Sequence, residues 1–148
     1  MYAKFNECDF FKTEIQYLSH VILAEGIAVD PEKIKTIMEW WVPQNVADIR
    51  SFMRLVGYYQ RFIEGFSRIY FPITSFQRKE NFFKWMNECK NGFEKLKQLL
   101  TTAPVLRVAD PNKEFEVCTD ISKEGVGEVL SQEGKLVAYE WRKLKEHE

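Results

Sequence analysis

An α+β fold is predicted by three features of this 148-residue sequence. Both ends alternate in polarity like strands, and the middle carries apolar residues at helical spacing. Turn signals (Glu25-Gly26, Asp30-Pro31, Pro43, Asp110-Pro111, Glu133-Gly134) fall where the period changes. With 12 Phe, 6 Tyr and 4 Trp, the chain has the means to bury a sizeable core, which argues against wholesale disorder.

The elements follow in order. Residues 8–29 read as strands, Cys8 to Phe11 and then Ile15 to Ile22, closing at Glu25-Gly26. Asp30-Pro31 is an N-cap followed by proline at the first helical position, and Ile34, Ile37, Met38 and Trp41 continue a helix that Pro43 stops. Asn45 with Asp48 resembles a capping box. After it, Ile49, Phe52, Met53, Val56, Tyr59 and Ile63 form one apolar stripe, with Arg50, Arg54, Gly57, Tyr58 and Arg61 opposite. Gly65-Phe66-Ser67 breaks that helix, and a shorter one is expected from Arg68 to Gln77 with Pro72 early in it. Arg78 to Asn81 reads as a charged turn, and a further helix over Asn87–Thr101 buries Cys89, Phe93, Leu96 and Leu100. Three strands finish the chain: Phe115–Asp120, Val126–Gln132 and Lys135–Arg142, the last two joined by a tight turn at Glu133-Gly134.

Composition excludes several chemistries. Cys8, Cys89 and Cys118 are far apart and form no C-x-x-C pair, so neither a disulfide framework nor a structural zinc site is expected. Cys89 and Cys118 fall on core positions and are expected to be buried thiols. The two histidines, His20 and His147, have no metalloprotease spacing, and no Walker or dinucleotide loop occurs. No apolar run approaches the ~18 residues of a membrane span, and the opening residues do not resemble a signal peptide, so an intracellular chain is expected. The net charge of −1 conceals a pattern: residues 1–45 hold 4 basic and 7 acidic groups, 46–100 hold 10 and 5, and 101–148 hold 7 and 10. A polyanion contact would therefore fall in the middle section; ordinary solvation of a helical surface is the alternative.

Three co-linear stretches go further. They are Phe10-Phe11-Lys12-Thr13-Glu14-Ile15-Gln16-Tyr17-Leu18-Ser19-His20-Val21-Ile22, then Ile49 to Ile63 with Gly57-Tyr58-Tyr59-Gln60-Arg61-Phe62, then Leu100 to Leu106 leading to Cys118-Thr119-Asp120-Ile121-Ser122. In this order and spacing the chain resembles the Pol polyprotein of gypsy-class LTR retrotransposons, from about Lys4 to Glu148. The resemblance implies palm-edge strands over 1–29, with Leu18-Ser19-His20 at the primer-grip turn. It further implies a helical thumb over 30–80, a connection over 81–113, and over 114–148 the three-stranded antiparallel sheet of an incomplete RNase H-like domain. The polymerase aspartates would lie upstream of this sequence. Of the four nuclease carboxylates only the first, matching Asp120, would be present.

The resemblance also implies partners and a cofactor. The partners would be RNA–DNA or DNA duplex and the rest of the Pol polyprotein; the cofactor of the intact family enzyme would be Mg. Phosphodiester hydrolysis needs two ions ~3.5–4 Å apart, so a lone aspartate is not expected to hold one stably, and the chain by itself is expected to be inactive. Asp120 as a metal ligand competes with Asp120 as a strand-end cap. Arg50, Arg54, Tyr58 and Arg61, with Leu18, Ser19 and His20, are the candidate duplex contacts. Four positions depart from the family: Arg54 and Ser19 where glycine is usual, Glu128 where a small residue packs, and Glu140-Trp141 in place of Ala-Ser. A second reading is an element-derived protein-interaction module using Tyr58, Tyr70, Phe82 and Phe83.

Overall fold

The computed structural model describes residues 10–75, 85–122 and 125–142. Cys8, Gln77, the turn over 78–81, Phe82, Phe83 and His147 lie outside them. An antiparallel sheet of β1 (Glu14–Tyr17), β2 (His20–Leu23) and β3 (Gly26–Val29) comes first. Four helices follow: α1 (Pro31–Met38), α2 (Val46–Gly57), α3 (Phe66–Ser75) and α4 (Asn87–Thr101), with a 3-10 turn over Gln60–Phe62. A second antiparallel sheet closes the order with β4 (Glu116–Ser122), β5 (Gly125–Gln132) and β6 (Lys135–Arg142).

The caps act as expected. Asp30 accepts from the Glu32 amide at 2.9 Å, and Asn45 accepts from the Asp48 amide at 2.9 Å. Asp48 accepts in return from the Gln44 amide, one residue before the cap. The core lies where α2, the 3-10 turn, α3 and α4 meet. Phe52, Val56, Tyr59, Phe62, Ile63, Phe93, Leu96 and Leu100 are buried there, and the Phe52 and Phe93 rings are 4.5 Å apart. Lys97 is also buried. Its ammonium donates to the carbonyls of Met38 at 3.1 Å and Trp40 at 2.7 Å, satisfying acceptors that the end of α1 leaves open.

The segment after α4 joins the two sheets. Leu106 is fully buried; it exchanges two backbone hydrogen bonds with Ile27 of β3, at 2.7 and 2.8 Å, and the next amide, Arg107, donates to Leu136 of β6. That approach requires Gly26, whose φ is +153°: a Cβ there would lie 2.1 Å from the Leu106 carbonyl oxygen. Gln132, fully buried, fixes the following loop by accepting from the Asp110 amide and donating to the carbonyls of Asp110 and Lys113.

Five expectations are corrected. Phe10 and Phe11 are not in a strand: Phe11 sits at φ 55° and is fully exposed, and the sheet starts at Glu14. Helix α1 ends at Met38, before Trp41, because its last carbonyls turn to Lys97; the Trp40 and Trp41 rings stack beyond it. The long helix expected to carry Ile49 to Ile63 stops at Gly57 and gives way to the 3-10 turn. Helix α3 starts at Phe66, so Pro72 falls inside it and withholds a hydrogen bond from the Arg68 carbonyl. Cys118 is exposed, because β4 is an edge strand; Cys89 is buried as expected.

Candidate nucleic-acid interface

The hairpin of β1 and β2 pairs Tyr17 with His20, leaving Leu18 and Ser19 as a two-residue turn. Both sit at positive φ, 47° and 59°, the left-handed pair of a type I′ turn. Glycine adopts this conformation without strain, whereas residues with a Cβ lose roughly 1–2 kcal/mol each. In such a turn the two central carbonyls point away from the strand ladder and need outside donors. Two consecutive tyrosines at the exit of α2 supply them. The Tyr58 hydroxyl donates to the Leu18 carbonyl at 2.7 Å and the Tyr59 hydroxyl to the Ser19 carbonyl at 3.0 Å. Each bond is worth about 0.5–1.5 kcal/mol, enough to offset much of the strain.

His20 completes the contact. Its Nδ1 lies 2.9 Å from the Leu18 carbonyl, and because a carbonyl only accepts, Nδ1 carries the proton. The ring packs against Tyr58, Tyr59 and Phe62, with centroids 5.2–5.6 Å away. Tyr59 is fully buried, and burial first, then the nearby Asp30 charge, pushes its hydroxyl up to about 12. Tyr58 stays 50% exposed and Leu18 67% exposed, so the turn and one tyrosine face remain open to solvent.

The arginines are placed differently from one another. Arg50 and Arg54 are exposed on α2, and Arg61 is exposed in the 3-10 turn; none forms an ion pair among the described residues. The single-helix stripe expected for Arg50, Arg54, Tyr58 and Arg61 is therefore split, with two on the helix, Tyr58 at its C-cap and Arg61 beyond. Arg68 and Arg107, by contrast, are engaged: Arg68 with Asp120 at 2.7 Å and Arg107 with Glu133 at 2.7 Å.

Asp120 lies in β4 opposite Gly127 of β5, exposed, with its carboxylate on the Arg68 guanidinium. The described residues do not fit a two-ion site. No group of three or more His, Cys, Asp or Glu among them could hold a metal ion, and the carboxylate in question is already paired with a cation. A cavity of about 100 Å³ lies beside this pair, lined by Glu64, Arg68, Asp120, Tyr139 and Trp141 among others. Glu128, half-buried, stands directly opposite Glu140 across β5 and β6, so it is not the fully buried carboxylate that a packed strand would impose. Sequence reasoning missed Tyr59 as a turn donor, Arg68 as the partner of Asp120, Lys97 and Gln132. The only local sign of the first was the doubled tyrosine itself.

No helix among the described residues is long and apolar enough to cross a membrane. The family model for the RNase H-like domain found in reverse transcriptase matches residues 85–148. The chain is 36% identical over 144 residues to the retrovirus-related Pol polyprotein from transposon 297 of Drosophila melanogaster, covering 97% of this chain and 14% of the relative. It is 38% identical over 151 residues to the Pol polyprotein from transposon gypsy of the same species, covering 94% and 15%. An uncharacterized mitochondrial protein of Arabidopsis thaliana, AtMg00860, is 37% identical over 111 residues, with 74% of this chain and 70% of that protein covered. The fold is shared with the foamy viral protease-reverse transcriptase. Its structure in complex with an RNA/DNA hybrid matches 95% of this chain and 20% of that one, with a TM-score of 0.82 at 21% identity. The structure with dsDNA matches 92% and 29%, with a TM-score of 0.80 at 21% identity. This sequence thus spans about one seventh of the transposon polyproteins. Co-linear motifs, family model, identity and fold agree: the chain belongs to the retrovirus-related Pol family of gypsy-class LTR retrotransposons, in its reverse transcriptase–RNase H region.

Proposed function

We propose that the chain is a template–primer-contacting section of a retroelement reverse transcriptase, with palm edge over 1–29, thumb over 30–80, connection over 81–113 and opening RNase H strands over 114–148. One observation carries this reading: Arg50, Arg54 and Arg61 are exposed and unpaired among the described residues, on the element whose exit seats the Leu18-Ser19-His20 turn. Unpaired guanidinium groups meet phosphates without first breaking a protein ion pair. Foamy viral enzymes of the same fold have been captured with dsDNA and with RNA/DNA hybrid, which supports a duplex as the ligand. Magnesium is read as belonging to the intact enzyme, and no catalytic step is assigned to this section.

The test is duplex binding as a function of salt. If each of the three arginines meets a phosphate, the log–log slope is expected near −3, since each contact contributes about −0.9 on B-DNA. Arg50→Gln, Arg54→Gln and Arg61→Gln should each flatten it by about one unit, without changing sequence preference. A folded chain that fails to bind at low salt would sink the proposal. A second reading, as a protein-interaction module, draws on the exposed apolar residues of edge strand β4, Val117 and Ile121. Capture of a protein partner that survives nuclease treatment, by a chain that does not bind duplex, would favour it.

A further inference from the structure

We propose that Tyr58 and Tyr59 are positioning residues that hold the glycine-free Leu18-Ser19 turn in its left-handed conformation and seat it against the end of α2. The two donors are adjacent in sequence and so are the two acceptors. Tyr58 meets the Leu18 carbonyl and Tyr59 the Ser19 carbonyl, in the same order 40 residues away. Adjacent side chains on a continuing helix diverge and could not both reach one turn. They converge here because α2 ends at Gly57 and Tyr59 leaves the helix at φ −103°, ψ 13°. The rings stand edge to face, 5.1 Å apart at 84°, which lets one hydroxyl approach each carbonyl. His20 adds a third donor to the Leu18 carbonyl and fills the space between the turn and Phe62.

The reason for the clamp is in the turn. Leucine and serine at positive φ are strained, and their carbonyls have no partner in the two-stranded ladder. Without the tyrosines the turn would relax toward a looser loop, moving Leu18, the most exposed residue of the hairpin end. Tyr58 therefore acts through the turn and does not grip a phosphate: its hydroxyl is already committed to a carbonyl. That the held turn faces a duplex rests on the function proposed above; the clamp itself does not.

The experiment uses the 148-residue chain as parent, Tyr58→Phe, Tyr59→Phe, the double variant, and the double variant with Ser19→Gly. Backbone couplings and carbonyl carbon shifts at Leu18 and Ser19 are read by NMR, alongside short RNA–DNA duplex affinity across a salt series. In the double variant the two carbonyl shifts should move and the couplings average. Duplex affinity should fall by about fivefold to tenfold, the loss of roughly one hydrogen bond, at unchanged salt slope. Ser19→Gly should restore the couplings and most of the affinity, because glycine removes the strain. Should Tyr59→Phe not fold, Tyr58→Phe with and without Ser19→Gly gives the same comparison at Leu18. Unaltered turn resonances in a folded double variant would overturn the clamp, as would a salt slope flattened by Tyr58→Phe. If the parent does not bind duplex yet the turn loosens on losing the hydroxyls, the clamp stands and the duplex reading alone fails.

Discussion

At the scale of single residues, a few positions are set by what lies beside them in space. Gly26 is one: its positive φ and the Leu106 carbonyl 2.1 Å from any added Cβ exclude a side chain. Gly26→Ala is expected to destabilise the chain by about 2–4 kcal/mol, combining backbone strain with a clash that only backbone movement relieves. Urea unfolding midpoints measure this. Tyr59 makes a pH prediction. Burial raises its hydroxyl from 10 to about 12, so between those values the unfolded chain releases a proton that the folded chain keeps. Stability is therefore full below pH ~10 and is lost as pH rises toward ~12. Tyr59→Phe should remove that part of the alkaline loss in equilibrium unfolding, at the cost of the Ser19 hydrogen bond at neutral pH.

At the scale of elements, helix ends decide more than helix interiors. The period of apolar residues carries α2 onward to Ile63, yet the helix ends at Gly57 and the chain re-forms as a 3-10 turn, so Tyr58 and Tyr59 are delivered to the β1–β2 turn. Helix α1 ends early for a related reason: the Lys97 ammonium from α4 takes the Met38 and Trp40 carbonyls and sits 4.4 Å from the Phe93 ring centre. Lys97→Ala is expected to cost about 2–3 kcal/mol by leaving carbonyls unsatisfied. Amide exchange checks it: protection should fall in α1 more than in α2. The packing of α3 on α4 runs through Gly92, where a Cβ would lie 3.0 Å from Ile73 Cδ1, a close approach between two helices.

At the scale of the molecule, two links hold the C-terminal sheet to the rest, and they differ in strength. Leu106, fully buried and hydrogen-bonded to β3, is the stronger; Leu106→Ala should cost about 2–5 kcal/mol. The Arg68–Asp120 pair is exposed on both sides and falls in the class worth about 0–1 kcal/mol, so Arg68→Ala should barely move the unfolding midpoint. Glu133, hydrogen-bonded first by Lys113 and then by Arg107, is held below the usual carboxylate range. Its contribution is present above the ordinary carboxylate pKa and is lost as pH falls through the lowered folded value. Glu133→Gln should therefore make stability less dependent on acid in that window. The apolar residues left exposed on β4, Val117 and Ile121, mark the surface of this sheet most open to another chain or segment.

The sequence by itself determined what depends on neighbours within a few residues. Asp30-Pro31 and Asn45 cap their helices, Asn87–Thr101 is a helix to the residue, and Glu133-Gly134 turns β5 into β6. The family was also legible there, in three motifs whose order and spacing no single element could mimic. The candidate interface was legible only as a set of residues: Arg50, Arg54 and Arg61 do emerge exposed, and Leu18-Ser19 does form a turn. Tertiary structure decided which atom of each residue is free. Tyr58 carries the same phenol on paper whether it faces a phosphate or, as here, a carbonyl 40 positions away. Asp120 is the same carboxylate whether it meets a metal ion or Arg68. Cys118 alternates correctly for a core strand but lies at a sheet edge. Local periodicity is set by the geometry of one helix or strand, whereas these assignments are set by contacts between segments distant in sequence, which spacing along the chain does not encode.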